Sequence, residues 1–190
     1  MTVLKEMGML VNRTPIFTVA NVLTLVRVLL LVPIFFLIRR DGQAAQNLAL
    51  FLVVLGWLTD GLDGYLARRL GQISELGKIL DPIVDKIFVL FLVLFLILLR
   101  DFPSWILFIM LPRDVLILGG GFYLAGKRKT VEESQVWGKI TTNALTVTAI
   151  AYLLRWRPVA SVLLGLALVL MVISTWSYGR LFFRKLQEVS

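Results

Sequence analysis

Apolar residues run along this chain in long blocks separated by short polar stretches, and no ten-residue segment alternates with period two. A helix needs about 20 residues, at about 1.5 Å of rise each, to cross the hydrocarbon of a bilayer. Six blocks reach that length, at roughly 19–38, 44–66, 79–99, 103–125, 138–155 and 158–178. Without alternating strands, a transmembrane barrel has no support. The expected fold class is an all-α integral membrane protein with six transmembrane helices. Residues 1–190 should form a single membrane domain, since no internal repeat or low-complexity linker divides them. The first block does not read as a cleavable signal peptide, because Arg27 and Pro33 interrupt it and no small-residue cleavage pattern follows. Ahead of it, Leu4, Met7 and Val11 can share a face with Lys5 and Arg13 elsewhere. The segment 1–17 is therefore either a short N-terminal interfacial helix or a frayed polar tail.

Composition sharpens this picture. Of 190 residues, 58% are hydrophobic and only 17% charged, against about 25% charged in ordinary soluble domains. Disorder is excluded by the same figures. The formal charge of +8 suits nucleic acid, anionic lipid or a phosphorylated substrate. The basic residues are split among loops by the span pattern, so membrane lipids are expected as partners and nucleic acid is not. Twelve Lys and Arg fall on the side shared by both termini, and five on the other. By the positive-inside rule both termini face the cytoplasm, and a bacterial inner membrane is the expected location. The chain has no Cys and no His. Catalysis must then use carboxylates, Lys, Arg, Tyr or hydroxyls.

Four carboxylates stand where lipid would not tolerate them unpartnered. Asp60 and Asp63 close the second block, and Asp81 and Asp85 open the third. The first pair is spaced i, i+3 and the second i, i+4, about 60° and about 40° apart around a helix. Each pair shares one face, and a helical hairpin would turn the two faces together near the cytoplasmic surface. Four facing carboxylates repel unless cations lie between them. Two divalent ions would serve, and all-oxygen ligands favour Mg²⁺, Mn²⁺ or Ca²⁺. The competing reading is that single aspartates cap helix ends or pair with Arg68, Lys78 and Lys86. Gly64 and Ala67 leave a nearly bare stripe that admits a flat ligand or simply a neighbouring helix. Arg68 can fork onto phosphate oxygens, and Gly77, just ahead of the third helix, can leave room for a ligand.

Residues 60–85 read DGLDGYLARRLGQISELGKILDPIVD. This matches D-x2-D-G-x2-A-R-x8-G-x3-D-x3-D without departure, and so resembles the signature of the CDP-alcohol phosphotransferase family. Asn21, Thr24 and Arg27 likewise resemble the opening of the family's phospholipid-making members. The resemblance implies a six-span enzyme with a cytoplasmic site and a homodimer. It also implies transfer of a substituted phosphate from a CDP-linked donor to an alcohol, with release of CMP. Carried over, Asp60, Asp63, Asp81 and Asp85 would hold two divalent cations, Mg²⁺ or Mn²⁺, on the donor's pyrophosphate. Asp85 would also be the catalytic base, and Asp60, Gly64, Ala67, Arg68 and Gly77 would contact the CDP part.

The acceptor is read from the second half of the chain. Arg113, Lys139 and Arg180 can converge as an anion pocket, unless Arg113 merely compensates Asp114. Such a pocket suits a phosphate-bearing alcohol. The runs R-D-V-L-I and G-K-I-T-T are most similar to those of cardiolipin-making members, so phosphatidylglycerol is the preferred acceptor and CDP-diacylglycerol the donor. Glycerol 3-phosphate is the alternative, as in phosphatidylglycerophosphate-making members. A rival from another class is an intramembrane ion transporter. It would place its acids at mid-span in duplicated halves, whereas these lie in one hairpin near one surface.

Overall fold

The computed structural model describes residues 19–69, 75–128 and 136–187, without the side chains of 19–20, 60–69, 75–79, 122, 124–128, 136, 183 and 185–187. The expected interfacial segment 1–17 lies outside the described residues. Among them the chain is all-helical, with α1 Val19–Arg39, α2 Gln43–Arg69, α3 Glu75–Arg100, α4 Ile106–Arg128, α5 Val136–Leu153 and α6 Arg157–Gln187. Each helix corresponds to one of the six apolar blocks. Three carry stretches long and apolar enough to cross a membrane, Asn21–Arg39, Leu80–Arg100 and Arg157–Phe182. Among the others, α2 ends in acids and arginines, and α4 contains Arg113 and Asp114.

Helix ends depart from the blocks for local reasons. α5 stops at Leu153 because Arg155 turns left-handed (φ 57°). There Arg155 N–H donates to the Tyr152 carbonyl at 3.0 Å, and Trp156 N–H to that of Ala151 at 3.1 Å, which is a Schellman closure. α3 is ended by Asp101 at φ 54°. It begins at Glu75, so Gly77 stands inside the helix and not ahead of it. α6 runs on past residue 178 because Leu181–Gln187 contains no helix breaker.

The chain forms two compact units, residues 1–95 and 96–190. In the first, α1 packs against α2, to which three residues join it. Its buried stripe is Thr24, Arg27, Leu31, Ile34 and Ile38, a strict alternation of three- and four-residue steps. Val22, Leu25, Leu29, Val32 and Phe36 on the opposite side are apolar and exposed. The helix is thus greasier outside than at the end of its buried stripe, the arrangement expected of a segment solvated by lipid. α3 lies beside α1 in the same direction: Thr24 meets Asp81, Arg27 meets Asp85, and Phe35 meets Phe95 at 4.9 Å between ring centres.

In the second unit, α5 packs along α6, whose stripe Ala160, Leu164, Ala167, Met171 and Ser174 repeats the four–three spacing. The threonines of α5 satisfy themselves within the helix: Thr141, Thr142, Thr146 and Thr148 each donate to the carbonyl four residues back. Gly138 allows the closest approach, since a Cβ there would lie 2.8 Å from the Tyr178 hydroxyl. At one end, Arg157 donates to Asp101 Oδ2 at 3.0 Å and to the Arg100 carbonyl at 3.1 Å.

Candidate active site

The acidic positions of α2 extend its buried stripe. Ala49, Val53 and Gly56 are buried at four- and three-residue steps, and the same steps lead to positions 60, 63 and 67. On α3 the corresponding run is Asp81, Asp85, Phe88 and Leu92. Phe88 is 3% exposed, and a Cβ added to Gly56 would lie 2.8 Å from its ring. One turn from the acids, the two helices therefore meet with a ring against bare backbone. This contact fixes the approach of α2 to α3 one turn from the acidic positions. The side chains of Asp60, Asp63, Gly64, Ala67, Arg68 and Gly77 lie outside the described residues.

Asp81 and Asp85 are half-buried. Thr24 Oγ1 donates to Asp81 Oδ1 at 3.0 Å, and Arg27 Nη1 donates to Asp85 Oδ1. Arg27 is 1% exposed, whereas the Asp85 side chain is 26% exposed. The carboxylate thus stands at the rim of the packed stripe while its cation lies within it. Pro82 stands between the two acids and has no N–H to give to the Lys78 carbonyl four residues back. Reasoning from the sequence marked Thr24 and Arg27 only through resemblance. The available signal was two polar residues, i and i+3, inside an otherwise apolar block.

These residues fit a hard divalent cation in kind. The donors are carboxylates on one helical face, and the chain has no imidazole or thiolate to compete. Among the described residues no three acidic side chains come together, since two of the four acids occupy positions 60 and 63.

The three expected acceptor ligands belong to the second unit. Arg113 is buried and donates to Asp114 Oδ1 at 2.7 Å and to Ser174 Oγ at 2.6 Å. Arg113 thus compensates its neighbour, and it also ties α4 to α6. Its Nε is buried with no hydrogen-bond partner among the described residues. Lys139 is exposed one residue after Gly138. Arg180 is exposed, lies over the Trp176 ring at 4.9 Å, and lines an apolar groove of about 700 Å³ with Met171, Val172 and Arg184. Ser174 is a site neighbour that the sequence reading missed, although it is the polar member of the α6 stripe.

Residues 17–173 match the family described as CDP-alcohol phosphatidyltransferase. The chain is 37% identical over 138 residues to the CDP-diacylglycerol–glycerol-3-phosphate 3-phosphatidyltransferase of Aquifex aeolicus, covering 70% of this chain and 74% of the relative. It is 29% identical over 182 residues to the Bacillus subtilis protein of the same name, covering 85% and 93% respectively. To the cardiolipin synthase (CMP-forming) of Streptomyces coelicolor it is 36% identical over 107 residues, which covers 54% of this chain and 49% of the relative.

Proposed function

The chain belongs to the CDP-alcohol phosphatidyltransferase family and is a CDP-diacylglycerol-dependent phosphatidyltransferase; on that premise we propose that its acceptor is glycerol 3-phosphate. The observation that carries this choice is the match to the Bacillus subtilis relative over 93% of its length, under a name that specifies that acceptor. The match to the cardiolipin synthase covers about half of either chain. The order of preference drawn from R-D-V-L-I and G-K-I-T-T is thereby reversed, and phosphatidylglycerol becomes the second reading.

The enzyme works as an integral membrane protein of six spans, with both termini and the site on the cytoplasmic side. The apolar exterior and polar-ended stripe of α1 support this, as do the three long apolar helices and the charge asymmetry of the loops. A bacterial inner membrane and a homodimer complete the reading.

In the reaction, Asp60, Asp63, Asp81 and Asp85 would hold two divalent cations, Mg²⁺ or Mn²⁺. When bound, these supply charge that offsets the donor's pyrophosphate and the departing CMP. Arg68 grips a phosphate oxygen, and Gly64, Ala67 and Gly77 leave backbone open to the CDP part beside Asp60. Arg113, Lys139 and Arg180 hold the phosphate of the acceptor; the buried Nε of Arg113 is a donor suited to that task. Asp85, paired with Arg27, takes the proton from the attacking hydroxyl. The hydroxyl oxygen bonds to the phosphorus that bears diacylglycerol. The bond from that phosphorus to the CMP oxygen breaks, and CMP leaves with the electron pair.

The test supplies the purified full chain with CDP-diacylglycerol, Mg²⁺ or Mn²⁺, and either glycerol 3-phosphate or phosphatidylglycerol. Mass spectrometry should find phosphatidylglycerophosphate. Cardiolipin as the dominant product would reverse the acceptor choice, and no CMP release with either acceptor would overturn the reading as a whole.

A further inference from the structure

One polar feature of the fold lies away from the reacting groups. The buried stripe of α1 contains three aliphatic residues, Leu31, Ile34 and Ile38, yet opens with Thr24 and Arg27. Burying a guanidinium is costly without a partner, and a leucine would fit the pattern of the remaining stripe. Both polar residues donate to the same pair of acids, Thr24 to Asp81 and Arg27 to Asp85, through contacts that span 57 and 58 residues of sequence. Three-residue spacing on α1 faces four-residue spacing on the parallel α3. The two contacts therefore hold both carboxylates at once and in register.

We propose that Thr24 and Arg27 are positioning residues, which orient Asp81 and Asp85 from α1 and thereby set how tightly the acidic cluster takes up a divalent cation. The inference rests on the two-cation reading of the site. A carboxylate gripped at one oxygen has lost most of its rotational freedom before a cation arrives, so less is lost on coordination. Thr24 does this with a neutral hydroxyl. Arg27 adds a fixed positive charge, which offsets part of the repulsion within the cluster while no cation is bound. Arginine suits the place better than lysine because its planar fork fixes direction as well as charge.

The experiment measures Mn²⁺ binding by electron paramagnetic resonance to the full chain in lipid nanodiscs, without substrate, for the wild type, Thr24→Val, Thr24→Ser, Arg27→Lys, Asp81→Asn and Asp85→Asn. Thermal unfolding in EDTA identifies any variant that fails to fold. Thr24→Val and Arg27→Lys should raise the Mn²⁺ Kd about ten- to a hundredfold, and Thr24→Ser, which keeps the hydroxyl, should stay near the wild type. In turnover assays the Mn²⁺ requirement should rise in parallel, while the KM for CDP-diacylglycerol at saturating Mn²⁺ changes little. A purely structural role would lower the melting temperature and leave the Kd alone. Folded Thr24→Val and Arg27→Lys proteins with wild-type Mn²⁺ affinity would overturn this proposal, provided that Asp81→Asn and Asp85→Asn lose binding. If the wild type takes up no Mn²⁺, or the aspartate variants bind it normally, the two-cation reading falls and the proposal with it.

Discussion

Arg113 and Ser174 are joined by a 2.6 Å hydrogen bond across 61 residues of sequence, so a cation expected to serve the acceptor is also a bolt between α4 and α6. The two roles separate experimentally. Ser174→Ala removes one bond to a charged group, worth about 1.5–3 kcal/mol. It should lower the melting temperature while the acceptor KM moves less than about threefold. Arg113→Ala should lower stability too, and raise the KM for glycerol 3-phosphate about ten- to a hundredfold with little change for CDP-diacylglycerol. Steady-state kinetics with each substrate varied in turn will check both. If Arg113→Ala alters stability alone, the arginine belongs to the scaffold and not to the pocket.

The contact between Gly56 and Phe88 predicts a steric pair. An added Cβ at 2.8 Å from a buried ring forces either the ring or the helix to move, at about 1–3 kcal/mol. Gly56→Ala should accordingly destabilise the protein and cut activity by spreading the two acidic faces. Gly56→Ala combined with Phe88→Leu should regain part of both. Melting curves and turnover of the double variant against the two singles provide the measurement.

Exchanging carboxylates for amides separates ligand from base. With Asp85 as both ligand and base, Asp85→Asn should abolish turnover while CDP-diacylglycerol binding, followed by isothermal titration, falls no further than in Asp60→Asn. Asp60→Asn should weaken binding and turnover together, because a cation ligand serves both. Turnover by Asp85→Asn within about tenfold of the wild type would remove Asp85 from the role of base.

Chelation supplies the simplest check on the cations. EDTA should stop CMP release, and Mg²⁺ or Mn²⁺ should restore it. The all-oxygen donor set predicts no need for a thiophilic metal. Release of CMP at an undiminished rate in metal-free buffer would remove the cations from the reaction.

The six helices were legible because each apolar block is long, and block length survives any detail of packing. The shared faces of Asp60 with Asp63 and of Asp81 with Asp85 were legible for a similar reason, since helical periodicity is local. The partner of Arg27 was not. Its position inside an apolar block showed only that it needed a counter-charge, and Asp81, Asp85 and the acids of α2 were all available in sequence. Its contact with Asp85 follows from the packing of α1 beside α3, and that packing is a long-range property. The start of α3 was misplaced because Glu75 to Leu80 is polar enough to resemble a loop, yet contains nothing that breaks a helix. Arg155 deceived in the opposite sense. A non-glycine residue gives no local sign that it will turn left-handed and end α5.

The pairing of Arg27 with Asp85 also has a consequence for biosynthesis. Ribosomes deliver Arg27, in α1, 58 residues before Asp85, a carboxylate that pairs with it. During that interval the nascent span carries a guanidinium without the Asp85 carboxylate, and a charge at a helix centre has an apparent insertion cost of about 2.5–3.5 kcal/mol. Such a span is easiest to keep near the headgroups until α3 emerges, and to settle fully once the two can dock. Chains truncated after α2 should consequently integrate less completely than chains truncated after α3, and Arg27→Leu should erase the difference. Glycosylation mapping of the nascent fragments would reveal it. A contact that shapes the finished site would then also set the order in which the membrane accepts its parts.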